Sequence, residues 1–210
     1  MRNRRKPYTE EEYLSNPYIV KSINFENDFP VHLEIGCGKG NFIINLSERN
    51  QKINYIGIEK EKQIIVMASK KLRVLKEEEA HKGNLVFLHI DASNIKDVFP
   101  ESYLERIYLN FSDPWPNRKK WHKKRLTHTK FLDMYRHILK ENGQIHLKTD
   151  NKELYEFSLN SFEANNFKIV ERETNLHRTA FHLNGENIVT EYEKKFSEKG
   201  MPIYKIVAHN

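Results

Sequence analysis

The sequence is poor in cysteine and in long apolar runs, and both shortages exclude classes of protein. The single cysteine, Cys37, forms neither an intrachain disulfide nor an all-cysteine zinc site, which fits a reducing compartment, the cytoplasm. The longest apolar run has five residues, Ile64 to Ala68, whereas a membrane-spanning helix needs about 20. No apolar stretch follows the basic start of the chain, so we expect no secretory signal. Because the apolar runs are so short, we expect no membrane association. The ten histidines show no metal-ligand spacing, so we also expect no bound metal.

Acidic residues are absent from two short basic stretches. Residues 1–6 carry four cations and residues 117–125 carry six. Without those ten, 25 Lys and Arg stand against 29 Asp and Glu, although the formal net charge of the chain is +6. Such focused positive charge favours a surface that binds a polyanion. Two solvated loops would show the same pattern, and charge alone leaves that alternative open.

Apolar runs alternate with amphipathic stretches, which predicts an α/β fold. At 210 residues we expect one domain, at residues 26–210, after a partly ordered basic arm at residues 1–25. The expected sheet is Rossmann-like, doubly wound and seven-stranded, mostly parallel with an antiparallel last strand. A glycine C-cap at Gly143 is expected to close the helix before the fifth strand. The predicted strands are 31–35, 55–58, 85–90, 107–109, 144–147, 167–170 and 203–207.

Glycine is scarce, yet three of the eight glycines alternate between the first predicted strand and the next helix. Gly36, Gly38 and Gly40 permit tight turning and close approach of a ligand. The third glycine comes one residue too early for the dinucleotide-binding fingerprint. With Glu34 just before it, this loop suits a cationic nucleoside better than a pyrophosphate.

Two more carboxylates end the second and third predicted strands. Glu59 is placed to accept ribose hydroxyls, and Asp91 stands where an adenine amino group is expected. Each alone is equally compatible with a helix cap. Together with the glycine loop they resemble the pocket of class I methyltransferases. That resemblance implies S-adenosylmethionine as cofactor and S-adenosylhomocysteine as product, with Glu34 nearest the sulfonium end.

A rigid corner follows the fourth predicted strand. Asp113 stands directly before Pro114, Trp115 and Pro116, and the two prolines restrict the backbone around the indole. The second basic stretch comes next, so the sequence predicts a fixed carboxylate beside a cationic patch at the cofactor edge of the sheet. A rigid turn with a tryptophan lid is the alternative interpretation.

Nearly the whole chain resembles the bacterial tRNA (guanine-N7)-methyltransferases of the TrmB family. The resemblance rests on the Arg-rich start, on the loop Glu34–Gly40, on Asn110–Pro116 with the basic stretch, and on three further motifs. Those motifs are Leu147–Asp150, Thr190–Glu193 and Gly200–Ile203. The family implies methylation of guanine 46 in the variable region of tRNA, with tRNA as partner. The sequence leaves open whether the protein is a monomer or a homodimer.

The resemblance also assigns residues. Asp113 is the catalytic candidate and a cofactor contact, beside the cofactor residues Glu34, Gly36, Gly38, Gly40, Glu59 and Asp91. The substrate-binding candidates are Asn117, Lys119, Lys120, Asp150, Thr190, Glu191, Tyr192 and Glu193, and the RNA contacts are Arg118, Lys123, Lys124 and Arg125. Asn117 stands where the family usually has Lys, and the basic stretch is one residue longer than usual. Lys119 or Lys120 is therefore expected to take that role.

The chemistry of guanine N7 defines what these residues must do. N7 carries a lone pair and no proton, so methyl transfer needs alignment more than a strong base. Asp113 is expected to stabilise the positive charge that develops on the purine. Asp150 or Glu193 can accept from the Watson–Crick edge, while Trp115 or Tyr192 can stack on the base. Thr190 and Glu193 also have capping-box spacing. Another RNA acceptor site and a non-catalytic RNA-binding protein stay open as alternatives.

Overall fold

The computed structural model of the chain describes residues 7–116 and 118–210. The strands are β1 (Val31–Ile35), β2 (Asn54–Glu59), β3 (Asn84–His89), β4 (Leu104–Asn110), β5 (Leu139–Thr149), β6 (Lys168–Glu173) and β7 (Tyr204–His209). The helices are α1 (Pro7–Ser15), α2 (Asn41–Arg49), α3 (Lys62–Glu77), α4 (Lys119–His122), α5 (Thr129–Ile138), α6 (Lys152–Ala164), α7 (Ala180–Leu183) and α8 (Glu191–Ser197). Short 3₁₀ helices cover Ala92–Asp97 and Leu176–Arg178.

The seven strands form one mixed sheet in the order β3-β2-β1-β4-β5-β7-β6. Strands β1, β2 and β3 pair in parallel, as do β4 and β5, whereas β7 runs antiparallel to both β5 and β6. This confirms the predicted α/β architecture and the antiparallel last strand. Within the described residues, no helix is long and apolar enough to cross a membrane.

The chain divides into two compact units between Asn94 and Ile95. In the first unit every residue of β1 and β2 is buried, as their unbroken apolar sequences predict for parallel strands covered on both faces. Helices α2 and α3 bury one apolar face each, including Ile43 and Ile65. The parallel register aligns the carboxyl ends of the strands, with Ile35 opposite Ile58 and Glu59 opposite His89.

Part of the predicted N-terminal arm packs on this first unit. Glu10 pairs with Lys62 at 2.6 Å and Glu12 pairs with Arg73 at 2.9 Å, which ties α1 to α3. The Tyr13 hydroxyl lies 3.2 Å from Nδ1 of His89. The arm's cations at residues 1–6 lie outside the described residues, and the boundary at residue 25 stays a prediction.

The second unit departs from the sequence prediction at the junction of α5 and β5. The helix ends at Ile138 and Leu139 is already extended, so the expected glycine C-cap is wrong. The backbone N–H groups of Ser102 and Tyr103 donate to the carbonyls of His137 and Ile138. These carbonyls at the helix end are therefore satisfied without a left-handed cap. Strand β4 begins at Leu104, three residues before its predicted start, because polar residues interrupt its apolar pattern.

Gly143 has a packing role instead, and this role can be tested. A Cβ at Gly143 would lie 2.8 Å from the carbonyl oxygen of Lys140, so Gly143→Ala must displace backbone. We expect it to lower the free energy of unfolding by about 1–3 kcal/mol, measured by urea titration with circular dichroism. The control is Asn142→Gly at φ +60°, which glycine adopts without strain, so it should not destabilise the chain. A Gly143→Ala protein as stable as its parent would contradict this account.

Candidate active site

The loop between β1 and α2 exposes its backbone at the carboxyl end of the first strand. The N–H groups of Gly36 and Cys37 both bond the carbonyl of Ile58, at 2.9 and 3.0 Å, which fixes the start of the loop. Gly36 and Gly38 have φ of +72° and +55°, and no atom lies within 4 Å of where a Cβ would stand. A ligand can therefore approach this backbone more closely than any side chain would allow.

Gly40 serves packing rather than ligand approach. It is the N-cap of α2 at φ +76°, and a Cβ there would lie only 3.0 Å from Cβ of Ala68. The three glycines thus divide into two that open the loop and one that seats the helix against α3.

Two buried carboxylates, those of Glu34 and Glu59, give this loop a negative electrostatic potential. Glu34 is 3% exposed. The Glu59 carboxylate accepts from the N–H of Gly38 at 3.2 Å, of Lys60 at 2.8 Å and of Glu61 at 3.0 Å. Burial, together with the charges of Glu34 and Glu59, raises the pKa of the Cys37 thiol well above its usual range. Cys37 is therefore a protonated thiol and no nucleophile, and the same field favours a cationic ligand.

Asp91 acts as a cap. Its Oδ1 accepts from the N–H of Ser93 at 2.8 Å and from the Ser93 hydroxyl at 2.6 Å, at the start of the 3₁₀ helix Ala92–Asp97. The structural alternative considered for this residue is thus confirmed. Its side chain is also exposed, two residues beyond the end of β3, so capping and ligand binding are compatible.

In the second unit, Asp113 lies in a strained turn. Phe111 and Trp115, on either side of it, have φ of +51° and +45°, a left-handed region that costs bulky residues roughly 1–3 kcal/mol each. Asp113 itself is exposed. Strain of this kind persists only where surrounding contacts hold it, and it is common at functional sites.

Arg125 holds this turn from the interior. Its Nε donates to the carbonyl of Pro114 at 2.7 Å and its Nη2 donates to the carbonyl of Trp115 at 2.9 Å. The residue is only 1% exposed. The structure therefore does not support the predicted RNA contact at Arg125, because the guanidinium is buried and hydrogen-bonded within the chain. A run of cations in a sequence does not reveal which member turns inward.

The other cations of the basic stretch remain on the surface. Five cations are exposed: Arg118, Lys119, Lys120, Lys123 and Lys124. Helix α4 carries Lys119 and Lys120. The indoles of Trp115 and Trp121 stack with centroids 5.5 Å apart, and the Lys124 ammonium lies 4.3 and 4.4 Å from their centroids. Trp121 therefore packs against Trp115 and Lys124 and anchors the basic stretch to the Asp113 turn. The predicted substrate residue Asn117 lies outside the described residues.

Tyr192 and Asp150 share the surroundings of Asp113. Tyr192 is 47% exposed, and its ring lies 5.1 Å from that of Phe111 and 4.4 Å from that of Phe196, between centroids. Its pKa is raised by burial and by the charges of Asp150 and Asp113. Asp150 directly follows β5 and is half-buried. The structure thus brings a half-exposed aromatic ring close to two predicted site carboxylates.

The motif Thr190–Glu193 forms the capping box that the spacing predicts. The N–H of Glu193 donates to Oγ1 of Thr190 at 2.9 Å, and the Glu193 carboxylate accepts from the N–H of Thr190 at 3.4 Å. This box starts α8 and so places Tyr192 on the first turn of that helix. Glu191 is the first residue of the helix, and only its backbone is described.

Glu193 does not fit the predicted contact with the base. Its carboxylate is 0% exposed and accepts from Lys148 at 2.9 Å, His177 at 2.8 Å and Asn187 at 2.6 Å, besides Thr190. These four donors fill the roughly four acceptor positions of a carboxylate. Burial raises its pKa, but the Lys148 charge and these hydrogen bonds outweigh burial and lower it. Glu193 therefore supports the site from within.

The sequence interpretation missed the donors of this network. Lys148, His177 and Asn187 surround Glu193, and His177 also stacks on His182 with centroids 4.2 Å apart. His177, His182 and Glu193 offer ligand atoms within 4.8 Å of one another, but the glutamate oxygens are already occupied by N–H donors. One signal was available, since a lysine inside a buried strand requires a partner to offset its desolvation.

The chain is similar to known methyltransferases in its sequence and in its fold. A family model described as "Putative methyltransferase" matches residues 28–206. Among solved structures, an antibiotic-related methyltransferase has a TM-score of 0.62 at 18% identity, covering 90% of this chain and 97% of its own. The 16S rRNA methyltransferase KamB has a TM-score of 0.62 at 11% identity, and the match covers 91% of this chain and 97% of KamB. At such identities these two structures show the fold alone.

Curated sequence relatives are much more similar. The tRNA (guanine-N(7)-)-methyltransferase of Clostridioides difficile is 41% identical over 99% of this chain and 98% of its own length. The enzyme of the same name from Alkaliphilus oremlandii is 44% identical over 94% of this chain and 91% of its own length. The one from Bacillus subtilis is 43% identical over 98% of this chain and 97% of its own length. The chain therefore belongs to the family of bacterial tRNA (guanine-N7)-methyltransferases.

Proposed function

We propose that this chain transfers the methyl group of S-adenosylmethionine to N7 of guanine 46 in the variable region of tRNA. The observation that carries the proposal is the similarity to enzymes named for guanine-N7 methylation of tRNA over nearly the full length of the chain. Each unit supplies matching chemistry, since the first has a glycine loop beside two buried carboxylates and the second has an exposed carboxylate.

The residues of the glycine loop fit the cofactor. Gly36 and Gly38 leave their backbone open, and Glu34 with Glu59 supplies the negative field that a sulfonium and an ammonium group require. Because three backbone N–H groups already occupy Glu59, about one of its acceptor positions is left for a ribose hydroxyl. This refines the expectation that Glu59 accepts both hydroxyls. Asp91 would lie at the adenine end.

When bound, the cofactor would supply an electrophilic methyl group. The lone pair of purine N7 would form the new N–C bond as the C–S bond breaks, with neutral S-adenosylhomocysteine as the leaving group. Asp113 stabilises the positive charge that develops on the purine, which favours the transition state over the ground state. It removes no proton, since N7 carries none. Its rigid turn keeps the carboxylate in place without reorganisation during the reaction.

Base recognition falls to Asp150 and Tyr192. Asp150 is half-buried and can accept from the N1–H and N2–H₂ donors of guanine, and Tyr192 presents an exposed ring for stacking. Trp115 is less suited to stacking on the base, because its indole already stacks on Trp121. Lys119 or Lys120 replaces the usual family lysine, and Arg118 and Lys123 bind phosphates.

The acceptor position can be tested with transcripts. We expect 7-methylguanosine to form in a tRNA transcript with guanine 46 and to be lost when that base is adenine. Nucleoside analysis by mass spectrometry after incubation with S-adenosylmethionine measures this. Equal methylation of both transcripts would place the acceptor elsewhere, and binding of tRNA without any methylation would indicate a non-catalytic RNA-binding protein.

The role of Asp113 predicts a selective loss of turnover. Asp113→Asn keeps the shape of the side chain but removes its charge, so kcat should fall about 100-fold while Kd for tRNA is unchanged. The matched control is Asp133→Asn, an exposed acid on α5, which should leave kcat as it was. Single-turnover methylation and filter binding give the two constants. Normal turnover in Asp113→Asn would exclude the electrostatic role.

The exposed cations predict a change in salt dependence. Replacing Lys119, Lys120 and Lys123 by Gln should raise Kd for tRNA and flatten the slope of log Kd against log salt by about 2–3, since each phosphate contact contributes roughly 0.7–0.9. The control triple variant, with Gln at Lys52, Lys70 and Lys82, removes the same charge from exposed positions of the first unit. Identical slopes in the two variants would mean that the basic stretch does not bind phosphate.

A further inference from the structure

The turn that carries Asp113 needs support that its own backbone does not supply. At the end of β4 the N–H of Phe111 bonds the carbonyl of Lys148 at 2.8 Å, and the chain then leaves the sheet. Phe111 and Trp115 both take left-handed conformations that bulky residues disfavour. Something must offset that strain, or the turn would relax and move the carboxylate.

The guanidinium of Arg125 meets this requirement geometrically. Its planar fork reaches two successive carbonyls, those of Pro114 and Trp115, at 2.7 and 2.9 Å. These are the two residues that follow Asp113. The carbonyl of Trp115 belongs to one of the strained residues, so the hydrogen bond acts where the backbone is least favourable.

Packing holds the guanidinium in this position. Its central carbon lies 4.7 Å from the ring centroid of Phe157 on α6, a cation–π contact away from water. Burying a charge is costly unless it is hydrogen-bonded, so the side chain is stable here only while it keeps its carbonyl partners. The turn and the arginine therefore stabilise each other.

We propose that Arg125 is a positioning residue, which fixes the Pro114–Trp115 backbone and through it orients the Asp113 carboxylate. The proposal rests on the proposed function for its effect on turnover, but its structural half stands independently of that function. It separates Arg125 from its neighbours in the basic stretch, which face solvent. Lysine is no substitute, because a compact ammonium on a flexible stem does not reproduce a fork that meets two carbonyls.

The test is Arg125→Lys, which keeps the charge and removes the fork. If Arg125 positions the turn, kcat for tRNA methylation should fall at least tenfold, because small displacements of a reacting group cost up to about 100-fold. The Kd for tRNA and its salt slope should not change. The matched control is Arg172→Lys, an exposed arginine on β6 outside the basic stretch, which should retain parental kcat. Parental kcat in Arg125→Lys, or an equal fall in both variants, would overturn the proposal.

A second readout needs neither cofactor nor tRNA. The chain has two tryptophans, so in a Trp121→Phe background the fluorescence comes from Trp115. Arg125→Lys should make this fluorescence more accessible to acrylamide quenching, and Arg172→Lys should not. If guanine methylation is absent altogether, the proposed function fails while the quenching still decides the structural claim. Unchanged quenching would overturn it.

Chemical rescue covers the case in which Arg125→Lys folds poorly. Arg125→Ala leaves a buried space of guanidinium shape, so added ethylguanidinium should restore both the parental Trp115 quenching and part of the lost turnover. Ethylammonium, with the same charge and no fork, is the control and should restore neither. Equal rescue by both ions, or rescue by neither, would contradict a role for the fork.

Discussion

The second unit depends on the cost of burying charge. An ionised group removed from water is stable only when its donors or acceptors are satisfied, and Arg125 and Glu193 both meet that condition. Arg125 is bonded to two backbone carbonyls, and Glu193 accepts from four donors that include Lys148. Because neither group tolerates loss of its partners, each fixes the backbone segment to which it is bonded. One segment carries Asp113 and the other carries Tyr192.

The first unit uses buried charge differently. Glu34 and Glu59 lie beside a loop whose backbone is open at Gly36 and Gly38, and burial together with their charges raises the pKa of Cys37. A site that holds negative charge in this way gains most from a cationic ligand. Under the proposed function, the cofactor site is defined by electrostatics, and the acceptor site is defined by a strained turn and its support.

Apolar periodicity predicted the elements well, since burial on both faces leaves a plain signature in a parallel sheet. Strand β1 and helix α6 have the expected bounds, and the glycine loop lies where its spacing placed it. Gly143 was misread because a helix end can be satisfied by a distant strand, and local sequence does not record that. The environment of Arg125 was missed for a similar reason, since exposure within a cationic run depends on tertiary packing.

The position of Arg125 bears on the departure from the family pattern that the sequence predicts at Asn117. The basic stretch is expected to be one residue longer than usual, with the extra residue between Pro116 and Arg125. Arg125 binds the carbonyls of Pro114 and Trp115, so the segment from Pro116 onward leaves from a fixed turn and returns to the side chain that fixes it. A loop whose two ends are held together accepts one more residue at little cost in closure entropy. Under the proposed function, an extra residue there changes which lysine meets the RNA, while Arg125 still holds the turn that carries Asp113.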